Sequence, residues 1–288
     1  MILYVQTTAI PRSELHNTGV IKALLELDKS EHFSEIRWFV NIDNVKSKYW
    51  DFEDYKLTLK NFKNNVEHLN KTKFSHTISK EPCFYLAFRR LMIDVQKDIK
   101  ENNLSSDDYC VMWLEDDWYF KDPEGFNILM DTFLNSDKLL AAPLYNNKIN
   151  MGGNPDIIKG EVFEHFKNVN FDKNNKRDPE SIRKNEVFQN HVWIDPWPHN
   201  GENLHHKLLK INGSSKGKII SYDNSMSDNQ ILDLHHHTEQ HRINYKIISS
   251  NVIEDVGDAW KINKTITKSW NQVDKDGISP DRSYTYES

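Results

Sequence analysis

The stretch Val111-Met112-Trp113-Leu114-Glu115-Asp116-Asp117-Trp118 most constrains how this chain can fold. Four apolar residues run straight into three consecutive acids. An apolar run of this kind reads as a strand buried in a sheet. The acids then fall at the end of that strand, where negative charge meets the low-dielectric core. Such charge is costly without a cationic partner. A divalent cation suits adjacent carboxylates, and it can hold a phosphate in turn. Glu115, Asp116 and Asp117 are therefore a candidate metal and nucleotide-diphosphate site. The bland alternative is a solvated acidic turn.

The segments before this run alternate strand with helix. Residues 2–7 read as a buried strand, and Pro11-Arg12-Ser13-Glu14 opens a helix whose apolar face carries Val20, Ala23, Leu24 and Leu27. A second strand over 36–42 ends in Asp43. Residues 44–80 are polar and ambiguous apart from a helix around 51–63. Pro82 stands near the start of the next helix, with Phe84, Ala87, Leu91, Val95 and Ile99 on one face and Asn102-Asn103 at its end. After the acids come a helical stripe at Phe126, Leu129, Met130 and Phe133 and a strand over 139–144. Alternation of this kind predicts an α/β fold with a mostly parallel central sheet flanked by helices.

The second half is less regular. It offers a helix near 156–167, a polar stretch over 168–177, a helix starting at Asp178-Pro179-Glu180, a helix near 228–241 and a strand over 245–248. The sequence thus changes character near residue 145, from regular alternation over 1–145 to an irregular second half over 146–288 of the same domain.

The 288 residues are 38% hydrophobic, enough for one large core. A net charge of -6 counts against nucleic acid as a partner. The apolar N-terminal run lacks a basic leader and reads as a strand, not a signal peptide. No stretch approaches the ~20 apolar residues a membrane span requires, although peripheral association stays open. Cys83 and Cys110 lack metal-site spacing and read as reduced core residues, which suits a cytoplasmic setting, or the host cytoplasm for a viral protein.

Strand, helix, strand ending in Asp, helix, then strand ending in Glu-Asp-Asp resembles the N-terminal half of a GT-A glycosyltransferase. Trp113-Leu114-Glu115-Asp116-Asp117-Trp118 and Gly153-Asn154-Pro155-Asp156 look like elements of small family-2-type sugar transferases of bacteria and large DNA viruses. The resemblance implies a GT-A, Rossmann-like sheet with an irregular C-terminal acceptor region. It implies that residues 1–145 bind the nucleotide sugar and that 146–288 bind the acceptor and close the cleft. It also implies a UDP- or GDP-linked sugar donor across the C-terminal strand ends, where ligands of open α/β sheets lie. Thr7, Thr8 and Arg12 would face the nucleotide, and Asp43 would accept hydrogen bonds from base or ribose. Asp117 would ligate Mn²⁺ or Mg²⁺ directly, with Glu115 and Asp116 assisting through ribose or metal-bound water. The acceptor would be a glycan or another hydroxyl compound.

Glycosyl transfer develops negative charge on the diphosphate leaving group, which a Lewis-acidic ion stabilises. The acceptor hydroxyl loses a proton, and a carboxylate base opposite the leaving group gives inversion. By position after the acids, Asp178 and Glu180 at a Pro-initiated helix start are candidates, with Glu180 preferred. Asp228, inside the capping-box pattern Ser227 to Gln230, is the rival. All three are also ordinary helix-start residues. His237 and His241 form an i,i+4 pair able to bind zinc, and a histidine from this cluster or from His199, His205 and His206 would complete a donor-metal shell. The stretch Asp255-Val256-Gly257-Asp258-Ala259-Trp260 resembles a loop that closes over the donor in similar transferases, but Asp258 stands where those carry Arg. Trp193, Trp197 and Trp260 are candidates for stacking on an acceptor sugar.

Two other classes share these features. A nucleotide-sugar phosphohydrolase or nucleotidyltransferase would use the same acids, although Thr7-Thr8-Ala9-Ile10-Pro11-Arg12 lacks the glycine-rich loop expected of the latter. A non-catalytic glycan-binding protein on a transferase scaffold is the third reading.

Overall fold

A computed structural model describes residues 1–47, 52–79, 84–135, 140–143 and 155–165, together with short segments at 195–196, 209–211, 219–221, 247–249, 253–256 and 284–286. In chain order the elements begin with β1 (Ile2–Ala9), α1 (Ser13–Thr18), α2 (Val20–Lys29), β2 (Glu35–Asp43), β3 (Val45–Ser47), α3 (Tyr55–Val66) and β4 (Thr72–Ser79). There follow α4 (Phe84–Glu101), β5 (Tyr109–Trp113), β6 (Trp118–Phe120), α5 (Pro123–Leu134), β7 (Leu140–Pro143), β8 (Asp156–Lys159) and α6 (Gly160–His165). Nine strands and helices thus precede the acids, from β1 to β5. The remaining strands are β9 (Asp195–Pro196), β10 (Leu209–Ile211), β11 (Ile219–Ser221), β12 (Ile247–Ser249), β13 (Ile253–Asp255) and β14 (Tyr284–Tyr286).

The main sheet runs β4-β2-β1-β5-β8-β7-β12-β9. Only β8 opposes its neighbours; the other pairings are parallel. The result is a mostly parallel α/β sheet with helices on both faces. The co-directional strands deliver their C-terminal ends to one edge.

Buried parallel strands read as near-continuous apolar runs because both faces are covered. In β1, seven of the eight residues are buried. Leu3 and Val5 face a core shared with Val20, Leu24, Trp38, Phe62 and Phe126. The opposite face meets α4, where Gln6 Nε2 donates to Met92 Sδ at 3.5 Å and the Tyr4 hydroxyl to Asp98 at 2.6 Å. Helix ends follow side-chain chemistry. Asp54 caps α3 by accepting from Lys56 N at 2.8 Å, and Asp122 caps α5, with Pro123 in its first turn, by accepting from Gly125 N at 2.9 Å. After α4 the chain turns through Asn103 at φ 52°, a left-handed conformation Asn tolerates.

Two segments differ from the sequence reading. Residues 156–159 form a strand, and the helix predicted from 156 begins only at Gly160. Consecutive Ile157 and Ile158 are both fully buried because β8 lies between β5 and β7 with both faces covered. The ambiguous stretch 44–80 contains β4, whose Thr72-Lys73-Phe74-Ser75-His76-Thr77-Ile78-Ser79 pairs with β2 at the sheet edge. An edge strand wetted on several positions carries little apolar alternation to read.

Among the described residues, no helix is long and apolar enough to cross a membrane. Cys110 is a buried free thiol; Cys83 and Pro82 lie outside the described residues.

Candidate active site at the acidic turn

β5 lies between β1 and β8, and its final residue Trp113 pairs with Gln6 on one side and Asp156 on the other. Leu114 N extends the ladder by one bond to Gln6 O at 3.0 Å. The chain then leaves the sheet, and Glu115, Asp116 and Asp117 turn across its C-terminal edge before β6.

The three acids have different surroundings. Asp116 is 2% exposed. Its Oδ2 accepts from Ile10 N at 3.2 Å, Arg12 Nε at 3.1 Å and His16 Nε2 at 2.8 Å, and its Oδ1 accepts from Arg12 Nη2. Burial alone would raise this carboxyl, but the Arg12 charge and the His16 contact oppose it and hold the group well below the usual carboxylate range. Arg12 Nη2 also reaches Asp117 Oδ2 at 3.2 Å. The Asp117 side chain retains 15% exposure against 3% for Asp116, so it is the more accessible of the two. Glu115 is half-buried.

The backbone of the turn is docked as tightly as its side chains. Val20 N donates to the Asp116 carbonyl at 3.3 Å, at the junction between α1 and α2. A Cβ on Gly19 would lie 2.6 Å from the Asp116 carbonyl oxygen and 2.9 Å from Asp117 Cα. Only glycine permits that approach. From the far end of the chain, β13 pairs with β6 so that Asp255 lies opposite Trp118, and Val256 N donates to the Asp117 carbonyl at 2.8 Å. Tyr119 OH donates to Glu254 at 2.9 Å and fastens the same ribbon.

The other residues singled out by sequence share this edge in different ways. Thr8 pairs with Asn41 in the β1–β2 ladder and is 9% exposed. Thr7 is fully buried and its hydroxyl accepts from Trp38 Nε1 at 2.9 Å, so that oxygen is directed into the core. Asp43, 8% exposed, accepts from Asn41 Nδ2 at 2.9 Å. Asn41 also bonds Ser79 and Thr77, which builds a polar cluster over the ends of β2 and β4. Arg12 contacts two of the acids directly. Asp178, Glu180, Asp228, the later histidines, Trp193, Trp197, Trp260 and residues 257–260 lie outside the described residues.

Sequence reasoning passed over His16 and Gly19, and took Asp156 only as part of the Gly153-Asn154-Pro155-Asp156 element. His16 is fully buried and stacks on Phe62 at 4.7 Å, and its place one helical turn after Arg12 was the available signal. Asp156, also fully buried, pairs with Trp113 just before the acids. A cavity of about 280 Å³ lies between β2, β4 and α4, lined by residues that include His76, Thr77 and Asp94 and none of the acids.

Among the described residues, no three His, Cys, Asp or Glu side chains form a ready metal cage.

No protein-family model and no curated protein sequence matches the chain. Solved structures similar to it include a mannosyltransferase from Pyrobaculum calidifontis in complex with GDP-Man and Mn²⁺, at TM-score 0.43 and 8% identity, covering 65% of this chain and 51% of that one. TarS from S. aureus is similar at TM-score 0.42 and 11% identity, with 66% and 56% covered. A 4-diphosphocytidyl-2C-methyl-D-erythritol synthase from Anaerococcus prevotii is similar at TM-score 0.34 and 8% identity, with 60% and 78% covered. The chain spans little more than half the length of the first two.

Proposed function

We propose that this chain is a metal-dependent glycosyltransferase that moves a sugar from a nucleoside-diphosphate donor to a glycan or other hydroxyl acceptor, with inversion. One observation carries the reading. Three consecutive acids cross the C-terminal edge of the sheet beside β1, and Asp117, more accessible than Asp116, is held next to that acid, which Arg12 already neutralises.

Asp117, assisted by Glu115, holds the cation, which when bound supplies Lewis-acid stabilisation of the diphosphate leaving group. Asp116 fixes the turn through Arg12, His16 and Ile10 N. Asp43 and Thr8, at the ends of β2 and β1, orient the base and ribose. A carboxylate takes the acceptor proton, and Glu180 is the sequence's first candidate, ahead of Asp178 and Asp228. The anomeric configuration of the product reads inversion directly.

Isothermal titration of UDP and GDP, with and without Mn²⁺, on wild type and Asp117→Ala tests this reading. The expected result is cation-dependent binding of one nucleotide that the substitution removes. Binding indifferent to both Mn²⁺ and Asp117 would contradict it. Phosphate release from a nucleotide sugar without any acceptor would point to a hydrolase instead.

A further inference from the structure

Three adjacent acids can share one turn only if something positive stands among them in the absence of a metal. In this chain Arg12 does so. Its guanidinium bonds both oxygens of Asp116 and extends the same Nη2 to Asp117 Oδ2 at 3.2 Å. The two attachments are unequal. The first is bidentate, to an acid 2% exposed and further held by His16 and Ile10 N. The second is a single, longer contact to an acid whose side chain is more accessible.

We infer that Arg12 is a positioning residue that occupies the cation's place at Asp117 until a divalent ion arrives. The inference rests on the functional reading above and adds to it a division of labour within the acidic triplet. The ion displaces the weaker of the two contacts. Arg12 stays on Asp116, because leaving it would strand a buried carboxylate without its counter-charge. The turn is thus formed before the ion binds, and binding exchanges one positive partner of Asp117 for another.

Lysine at this position separates the two contacts. An ammonium is a single point charge without the planar fork that lets a guanidinium bridge neighbouring carboxylates. It remains with the more buried Asp116 and leaves Asp117. Mn²⁺ binding is read on the full chain by electron paramagnetic resonance of the free ion, with saturating UDP and GDP in parallel, for wild type, Arg12→Lys and Asp117→Asn. Circular dichroism verifies the fold of each. The expected result is Mn²⁺ affinity about two- to fivefold tighter in Arg12→Lys, the order of one partly exposed ion pair, and loss of binding in Asp117→Asn.

An affinity unchanged or weaker in folded Arg12→Lys, beside a wild type that binds, overturns this inference alone. A wild type that binds no cation with either nucleotide overturns the functional reading and the inference with it. A second measurement needs no variant. The side-chain Nε–Hε resonance of Arg12 in the wild type is expected to shift along the Mg²⁺ binding curve at constant nucleotide. A resonance unmoved at saturation overturns the displacement.

Discussion

Asp116 carries the greatest electrostatic burden of any single side chain at the site. It is buried, ionised and hydrogen-bonded on both oxygens, and its partners Arg12 and His16 are themselves shielded. Removing one member of such a pair leaves the other charge buried and uncompensated, at a cost of about 3–5 kcal/mol. Asp116→Ala is therefore expected to lower stability by that order in urea unfolding, and Asp117→Ala by much less. A loss for Asp117→Ala as large as for Asp116→Ala would contradict the division between anchor and ligand. Acid sensitivity follows from the same group. Its folded-state pKa lies below the ordinary value of 3.8, so its contribution is complete above that value and is lost as pH falls through it toward the folded pKa. The urea midpoint of wild type should fall more steeply below about pH 4 than that of Asp116→Asn. Parallel profiles would show that the pair does not set acid stability. The sequence made the acids visible because an apolar run broke into charge. It could not show which acid was the anchor, since that depends on Arg12 and His16, about a hundred positions earlier, meeting Asp116 only in the folded state.

At the scale of elements, the α1–α2 junction and the acidic turn are mated surfaces. Gly19 lets the two backbones approach more closely than any Cβ allows. Gly19→Ala must push the turn outward, with a cost of about 1–3 kcal/mol typical of overpacking. It should also weaken cation-dependent nucleotide binding although no ligand contact is removed. A variant with wild-type nucleotide affinity would show that the turn tolerates displacement. Strand and helix identities were legible where one periodicity dominated, as in the amphipathic α4 or the fully apolar β5. They were not legible in β8, whose two buried isoleucines fit a strand or a buried helix equally, nor in β4, whose edge position relaxes the demand for apolar residues. In both cases the deciding information was the neighbour in the sheet, which local pattern does not contain.

Across the whole molecule, strands from both sides of residue 145 share one sheet, with β8, β7, β12 and β9 continuing the order begun by β4, β2, β1 and β5. The chain also returns to its own acids. β13 is laid against β6, and Val256 N is bonded to Asp117 O. The sequence singled out 255–260 as a segment near the donor. Of that segment, Asp255 pairs with Trp118 and Val256 N bonds Asp117 O, while Gly257 to Trp260 lie outside the described residues. The mostly parallel sheet was thus readable from alternation, and one charged strand end marked where the acids leave it. A choice among Asp178, Glu180 and Asp228 was not, because helix-start acids look alike in sequence whether they face a cleft or solvent. The most direct measurement is a crystal structure with Mn²⁺ and whichever of UDP or GDP binds. This account expects an anomalous peak at coordination distance from the Asp117 carboxylate and from the diphosphate, with Asp116 still held by Arg12. Nucleotide bound elsewhere, or a metal that bypasses Asp117, would contradict it.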